Sequence, residues 1–207
     1  MDRFRTGGSL SPIRQAEAYW TALRRDGSIP KRSQIDPRGI GNILANCFIL
    51  ERIAPGIARL RLAGQHMNAL AGMEVRGMPL TALFTPQRRG EMGAILEHVF
   101  DTPAVAELSL TSEARFRRAM LDARMLLLPL RCEQGDISRA LGVLVSEGDA
   151  SRPPCRFGIS RIELRDLKRQ DSRKKRVSSC EMTTSGFSED KKPFNRPHLR
   201  LVASKED

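Results

Sequence analysis

The chain has 207 residues and carries 35 lysines and arginines against 24 aspartates and glutamates, a formal net charge of +11. At roughly 100–200 residues per domain, this length predicts one domain with extensions or two very small domains. No apolar run reaches the roughly 18 residues of a membrane span, and no apolar stretch of a secretory signal follows the N-terminal arginines. We therefore expect a cytoplasmic protein without a membrane span.

The positive charge is spread along the chain rather than concentrated in one block. Residues 166–207 hold 11 basic and 7 acidic side chains, and the rest of the chain is also basic. The basic residues are 28 arginines and 7 lysines. This bias suits the bidentate binding of phosphate, but it is also what a GC-rich genome encodes.

The four cysteines predict neither a zinc site nor, in a reducing compartment, a disulfide. They are Cys47, Cys132, Cys155 and Cys180, and no Cys-x-x-Cys pair occurs among them. Cys47 belongs to an apolar run, so we expect it to be a core residue.

The first elements predicted along the chain are a flexible N terminus at 1–10 and a helix at 11–25. Ser11 and Pro12 are typical of a helix start. The apolar positions that follow at helical spacing are Ile13, Ala16, Tyr19, Trp20 and Leu23. Such an amphipathic helix either packs on its own domain or pairs with a second copy, and the pattern does not decide between these alternatives.

A short helix is predicted at 36–44, and an antiparallel hairpin follows it at 47–53 and 57–62. In the second strand Ala58, Leu60 and Leu62 alternate with Arg59 and Arg61. We therefore expect the three apolar side chains to share one buried face and the arginines to share the other.

Thr85 and Pro86 predict the start of a longer helix that ends near Asp101. Three strands follow, at 104–111, 120–132 and 137–146. The fold class is therefore α+β, a five-stranded antiparallel sheet with helices on one face. We assign residues 11–150 to this domain, 151–167 to a partly ordered extension in which 157–164 form a strand or a short helix, and 168–207 to a disordered tail of mixed charge.

Several short segments, taken in order, resemble a PAS domain. Residues 62–64, 70–74 and 76–77 are similar to the hairpin end and the glycine-bracketed turn of that family. Residues 24–30, 35–37, 127–130, 140–142 and 196–202 resemble a group of short alphaproteobacterial proteins with one PAS-type domain and a tail. The resemblance covers about residues 12–148.

The resemblance implies ligand binding between the sheet and the helices, or protein binding on the outer surface of the sheet. The ligand-pocket candidates are Leu60, Leu62, His66, Leu96, Met125, Leu127 and Val143, and the expected turn glycines are Gly64, Gly72 and Gly77. We expect neither flavin nor haem as a cofactor. Cys47 lies on the wrong element for a flavin-reactive cysteine, and a lone helical histidine such as His98 is more often solvated or packed in the core than bound to haem.

The resulting hypothesis is a cytoplasmic signalling or sensory PAS-like module without an attached output domain. We expect it to act through protein contacts, with or without a small ligand, and to form a homodimer through the helix at 11–25 or through the sheet. No catalytic motif occurs, so we expect no enzyme activity and no metal site.

The alternative is a regulatory protein that binds nucleic acid or a nucleotide messenger. It depends on basic tail residues at 168–169 and 173–176 and on an arginine-lined sheet face. The arginines of that face are Arg59, Arg61, Arg115, Arg117, Arg118 and Arg124. The chain is only 5% aromatic, which leaves few side chains for base stacking.

Overall fold

The computed structural model describes residues 11–112, 120–147 and 153–167. The predicted flexible N terminus at 1–10 and the predicted tail at 168–207 lie outside these residues. The described residues form an antiparallel sheet with helices packed on it, which confirms the predicted α+β class.

The sheet contains six strands within the described residues, in the spatial order β2-β1-β5-β4-β3-β6. They are β1 (Cys47–Ala54), β2 (Ile57–Ala63), β3 (Ala104–Ser112), β4 (Asp122–Arg131), β5 (Ile137–Glu147) and β6 (Phe157–Asp166). The first five lie where the apolar alternation predicts them. The sixth shows that the extension at 151–167 contributes an edge strand, which pairs with β3.

The helices are α1 (Pro12–Leu23), α2 (Gln65–Ala71), α3 (Arg89–Asp101) and a 3₁₀ helix at Pro37–Asn46. The 3₁₀ helix begins where Asp36 accepts a hydrogen bond from the backbone N–H of Arg38 at 2.9 Å. The predicted start of the long helix was wrong by one turn. Thr85 precedes a separate 3₁₀ turn at Pro86–Arg88, and α3 begins only at Arg89.

Both faces of the central strands are buried, so the expectation of helices on one face was wrong. We call the face under α2 and α3 the inner face, and the face under α1 and the 3₁₀ helix the outer face. In β4, Met125 and Leu127 point to the inner face while Leu126 and Leu128 point to the outer face. A strand that is apolar at consecutive positions needs a cover on each side.

The apolar stripe of α1 provides the outer cover. Ile13, Ala16 and Trp20 are buried in a core formed with β4, β5 and the 3₁₀ helix. The indole Nε1 of Trp20 donates a hydrogen bond to the carbonyl of Pro129 at 3.0 Å. β3 pairs with β4 only as far as Ala106 and Leu127. Pro129 lies beyond this last pair, so β3 does not need it as a hydrogen-bond partner.

Polar contacts hold α1 to its own chain at several points. Glu17 forms an ion pair with Arg165 of β6 at 2.6 Å, and Gln15 accepts a hydrogen bond from Asn42 of the 3₁₀ helix at 2.6 Å. Because its apolar residues are buried within one chain, a homodimer would have to use other residues than this stripe.

We expect Trp20→Phe to destabilise the fold by about 1–3 kcal/mol, because it leaves the buried carbonyl of Pro129 without a donor. Urea denaturation followed by circular dichroism measures this loss. The exposed neighbour Thr21 serves as the control, and Thr21→Ala should change stability by less than about 0.5 kcal/mol. Equal stability of Trp20→Phe and the unsubstituted protein would contradict the assigned role of the indole.

Candidate functional site

Four of the seven predicted pocket residues lie in a buried apolar core on the inner face. Leu60, Leu96, Met125 and Leu127 are at most 1% exposed. Their buried neighbours in this core include Phe48, Met67, Leu70, Phe84, Met92 and Phe157. Among the described residues, the buried polar side chains are Thr85 and Ser112, and Ser112 already accepts a hydrogen bond from the backbone N–H of Leu121. This core therefore offers apolar contacts and few polar partners to a ligand.

Leu62 and Val143 lie on the outer face instead. Val143 is fully buried there, beneath the 3₁₀ helix and α1. Leu62 is 49% exposed, whereas the predicted alternation placed it beside Leu60 on the inner face.

A β-bulge is the physical reason for this error. Leu60 pairs with Leu50 and Leu62 pairs with Ile49, so Arg61 is an extra residue without a partner in β1. One extra residue moves every later side chain of a strand to the opposite face. An alternating sequence does not reveal such a bulge, because the pattern itself is uninterrupted.

His66 is fixed against β5 at the first turn of α2. Its Nε2 lies 3.1 Å from the hydroxyl of Ser146, and burial lowers the pKa of the imidazole. The three turn glycines lie at positions where a side chain would be strained or would clash. Gly72 and Gly77 adopt left-handed φ values of 71° and 85°, and a Cβ on Gly64 would overlap the carbonyl of Ala45.

An apolar cleft of about 60 Å³ opens on the outer face, between the 3₁₀ helix and the β1–β2 hairpin. Leu44 and Leu62 in its lining are large apolar side chains that are 45% and 49% exposed. The lining residues are Arg32, Ile35, Pro37, Ile40, Leu44, Cys47, Phe48, Ile49, Leu62 and Leu141. The sequence reasoning missed this cleft because it depends on the bulge at Arg61.

A cluster of three arginines around one carboxylate lies beside the cleft. Glu51 of β1 forms ion pairs with Arg59 at 3.1 Å, with Arg61, and with Arg139 of β5 at 3.0 Å. We call these four residues the Glu51 cluster. The hydrogen bond from Arg61 is the main cause that lowers the pKa of the Glu51 carboxyl, and Arg59 and Arg139 add to it against the opposing effect of burial. The cluster carries two more positive than negative charges.

The predicted arginine-lined face is divided in the described structure. Arg59 and Arg61 belong to the Glu51 cluster, whereas Arg124 lies on β4, three strand spacings or about 14 Å from β2. Arg115, Arg117 and Arg118 lie outside the described residues, as do the basic tail segments at 168–169 and 173–176. Glu51 and Arg139, which organise the cluster, were not singled out from the sequence.

Cys47 and His98, the residues that the sequence analysis weighed for flavin and haem, lie on different elements, β1 and α3. Cys47 is buried on the outer face, on the opposite side of the sheet from the inner core, and burial raises the pKa of its thiol to about 11. Such a thiol stays protonated and is a poor nucleophile. His98 lies 2.8 Å from Asp166 at the surface, where its ring contacts the carboxylate rather than the inner core.

The described helices and side chains add two further findings. None of these helices is long and apolar enough to cross a membrane. Within the same residues, no three potential metal-ligating side chains of His, Cys, Asp or Glu converge.

Comparison with known proteins gives one family match and several distant structural likenesses. A PAS domain family model matches residues 9–145. An RNA-binding Light-Oxygen-Voltage receptor is 20% identical at a TM-score of 0.38, and the match covers 59% of this chain but only 37% of that receptor. No curated protein matches the sequence.

Two further solved structures are similar at the same level. The LOV domain of the blue-light photoreceptor Aureochrome1 is 15% identical, with a TM-score of 0.36, and the match covers 54% of this chain and 88% of that one. A PAS domain from Colwellia psychrerythraea is 12% identical, with a TM-score of 0.36, and the match covers 56% of this chain and 98% of that one. Sequence identities and TM-scores this low support no statement about function.

We expect Glu51→Gln to destabilise the fold by about 1 kcal/mol at neutral pH, since three arginines lose their shared carboxylate. The folded-state pKa of Glu51 lies below its ordinary value of 4.5. The stabilisation is therefore complete above that value and is lost as the pH falls through the lowered pKa. Thermal unfolding from neutral pH to about pH 3 should show the two proteins converging in acid.

The control for this series is Glu163→Gln. Glu163 pairs with Arg161 at 2.8 Å, but both side chains are exposed, at 49% and 72%. Its substitution should leave the melting temperature unchanged. A Glu51→Gln deficit that stays constant into acid would contradict a role for the ionised carboxylate.

Proposed function

Because the chain belongs to the PAS domain family, we propose that it is a sensory signalling module that acts by binding a partner protein on the outer face of its sheet. The single observation that carries this proposal is the exposed apolar cleft next to the Glu51 cluster. Large apolar side chains that surround a concave, partly exposed site are typical of protein interaction surfaces.

The size of the cleft favours a protein partner over a free small molecule. Pockets for drug-sized ligands enclose roughly 300–1,000 Å³, and this cleft has about 60 Å³. A space of that size suits one apolar side chain of a partner. The inner core supports the same reading, because its buried residues are apolar and offer a small ligand few polar partners.

The remaining parts of the proposal are more specific than membership of the PAS domain family. We propose a module without enzymatic activity, in the cytoplasm, where the free thiols of Cys47 and Cys132 would persist. The narrower kinship with short alphaproteobacterial PAS-type proteins and the homodimer also stay predictions. The nucleic-acid alternative is a prediction as well, and it depends largely on residues outside the described part of the chain.

We expect Leu62→Asp to weaken partner binding strongly, because it places a charge at the mouth of the apolar cleft. The immobilised full-length protein is incubated with lysate of its source cells, and retained proteins are quantified by mass spectrometry. Ile162→Asp is the matched control, since Ile162 is an exposed apolar strand residue, 36% exposed, on the opposite edge strand β6. A partner should be retained by the control and reduced at least about tenfold by Leu62→Asp.

Three results would contradict this function. They are the absence of any specifically retained protein, equal retention by Leu62→Asp, and loss of retention with Ile162→Asp alone, which would move the contact to β6.

We also expect the protein, purified without added cofactor, to show no stoichiometric visible absorption band. The physical reason is that the inner core has few polar groups to hold a flavin, and His98 is engaged by Asp166. The absorption spectrum and the intact mass under non-denaturing conditions provide the measurement. A flavin or haem band that copurifies at equal molar ratio would overturn this expectation.

A further inference from the structure

We propose that the outer-face cleft recognises an acidic segment of its partner, which inserts one apolar side chain between Leu44 and Leu62 and places carboxylates against the Glu51 cluster and Arg32. This inference rests on the proposed function and specifies the chemistry of the partner. Three features carry it: the position of the arginines, their surplus charge, and the size and lining of the cleft.

The cleft and the Glu51 cluster are continuous on one face of the sheet. Ile49 lines the cleft, and Glu51 lies two residues further along the same face of β1, a rise of about 7 Å. On β5 the same step leads from Leu141, in the cleft, to Arg139 in the cluster. Leu62 and Arg61 are adjacent in β2. A bound segment of a few residues therefore spans both features.

The positive charges at this place exceed the negative charges that the described structure supplies. Arg59, Arg61 and Arg139 share the single carboxylate of Glu51, which leaves a surplus of two charges. Arg61 contacts Glu51 through Nε, and 46% of its side chain is exposed, so an acceptor from the solvent side can reach it. A guanidinium has five N–H donors and commonly binds more than one acceptor.

Arg32 adds a fourth guanidinium to this region, in the lining of the cleft itself. It is partly exposed, and within the described residues it forms no ion pair. Carboxylates next to an apolar anchor would therefore meet the guanidinium of Arg32 in the cleft and those of the Glu51 cluster beside it. Attraction of this kind speeds association and selects against basic partners.

The lining of the cleft favours a peptide over a nucleotide. Recognition of a base commonly uses an exposed aromatic face for stacking. The aromatic residue of this cleft is Phe48, which is only 1% exposed, and the other lining side chains are aliphatic apart from Arg32 and Cys47. A second copy docked through the same face would bring two positively charged surfaces together, which costs electrostatic energy.

The test is a selection of random twelve-residue peptides, displayed on phage, against the full-length protein. We expect the enriched sequences to carry Asp and Glu close to one Leu, Ile, Phe or Met. The dissociation constant of the most enriched peptide is then measured by fluorescence anisotropy at low and high salt. Arg61→Glu and Leu62→Asp should each weaken binding at least about tenfold, and added salt should weaken it as well.

The matched control is Arg161→Glu, on the opposite edge strand, where the arginine is 72% exposed. It should change the dissociation constant by less than about twofold, as expected for a screened charge on a distant strand. Circular dichroism of each variant verifies that it is folded. Replacement of the apolar residue of the peptide by Ala should also weaken binding, because the anchor is then lost.

Several outcomes would overturn the proposal. They are enrichment of basic or uncharged peptides, no enrichment at all, and binding that Arg61→Glu leaves unchanged. The proposal would also be overturned if a nucleotide bound in a way that depends on Arg61 while no acidic peptide bound. If any of these occurs while lysate binding still depends on Leu62, the proposed function stands and only the acidic chemistry is wrong.

Discussion

The need to bury both faces of the central strands governs this structure. β4 is apolar at consecutive positions, with Met125 and Leu127 on one side and Leu126 and Leu128 on the other. Each fully buried leucine contributes roughly 1.5–3 kcal/mol only if a second layer excludes water from it. The helix α1 supplies that layer on the outer face, and the hydrogen bond from Trp20 to Pro129 fixes its position while it satisfies a buried carbonyl.

The outer cover ends before it reaches the edge of the sheet. The 3₁₀ helix at Pro37–Asn46 lies over β1 and β5, while β2 is an edge strand. The bulge at Arg61 turns Leu62 onto this incompletely covered face, so an apolar side chain and a guanidinium come to lie side by side there. The candidate site is thus a direct consequence of where the cover stops and where the strand register slips.

The net charge of +11 suggests a continuous basic surface, which the charges at this site do not form. Arg59 and Arg61 are not part of a continuous basic stripe, since both contact Glu51 and are separated from Arg124 by the width of the intervening strands. The cluster still retains a surplus of two positive charges beside an apolar surface. That combination distinguishes it from the diffuse basic surface on which non-specific binding of nucleic acid depends.

The sequence by itself determined the elements whose signals are local. The start of α1 at Ser11 and Pro12, the stripe of Ile13, Ala16 and Trp20, and the five strands follow from periodicity and from turn residues a few positions apart. The tertiary structure alone decided the rest: that α1 covers the outer face, that Leu62 opposes Leu60, and that Glu51 gathers arginines from positions 59, 61 and 139. These features depend on strand register and on contacts between distant segments, and a local pattern encodes neither.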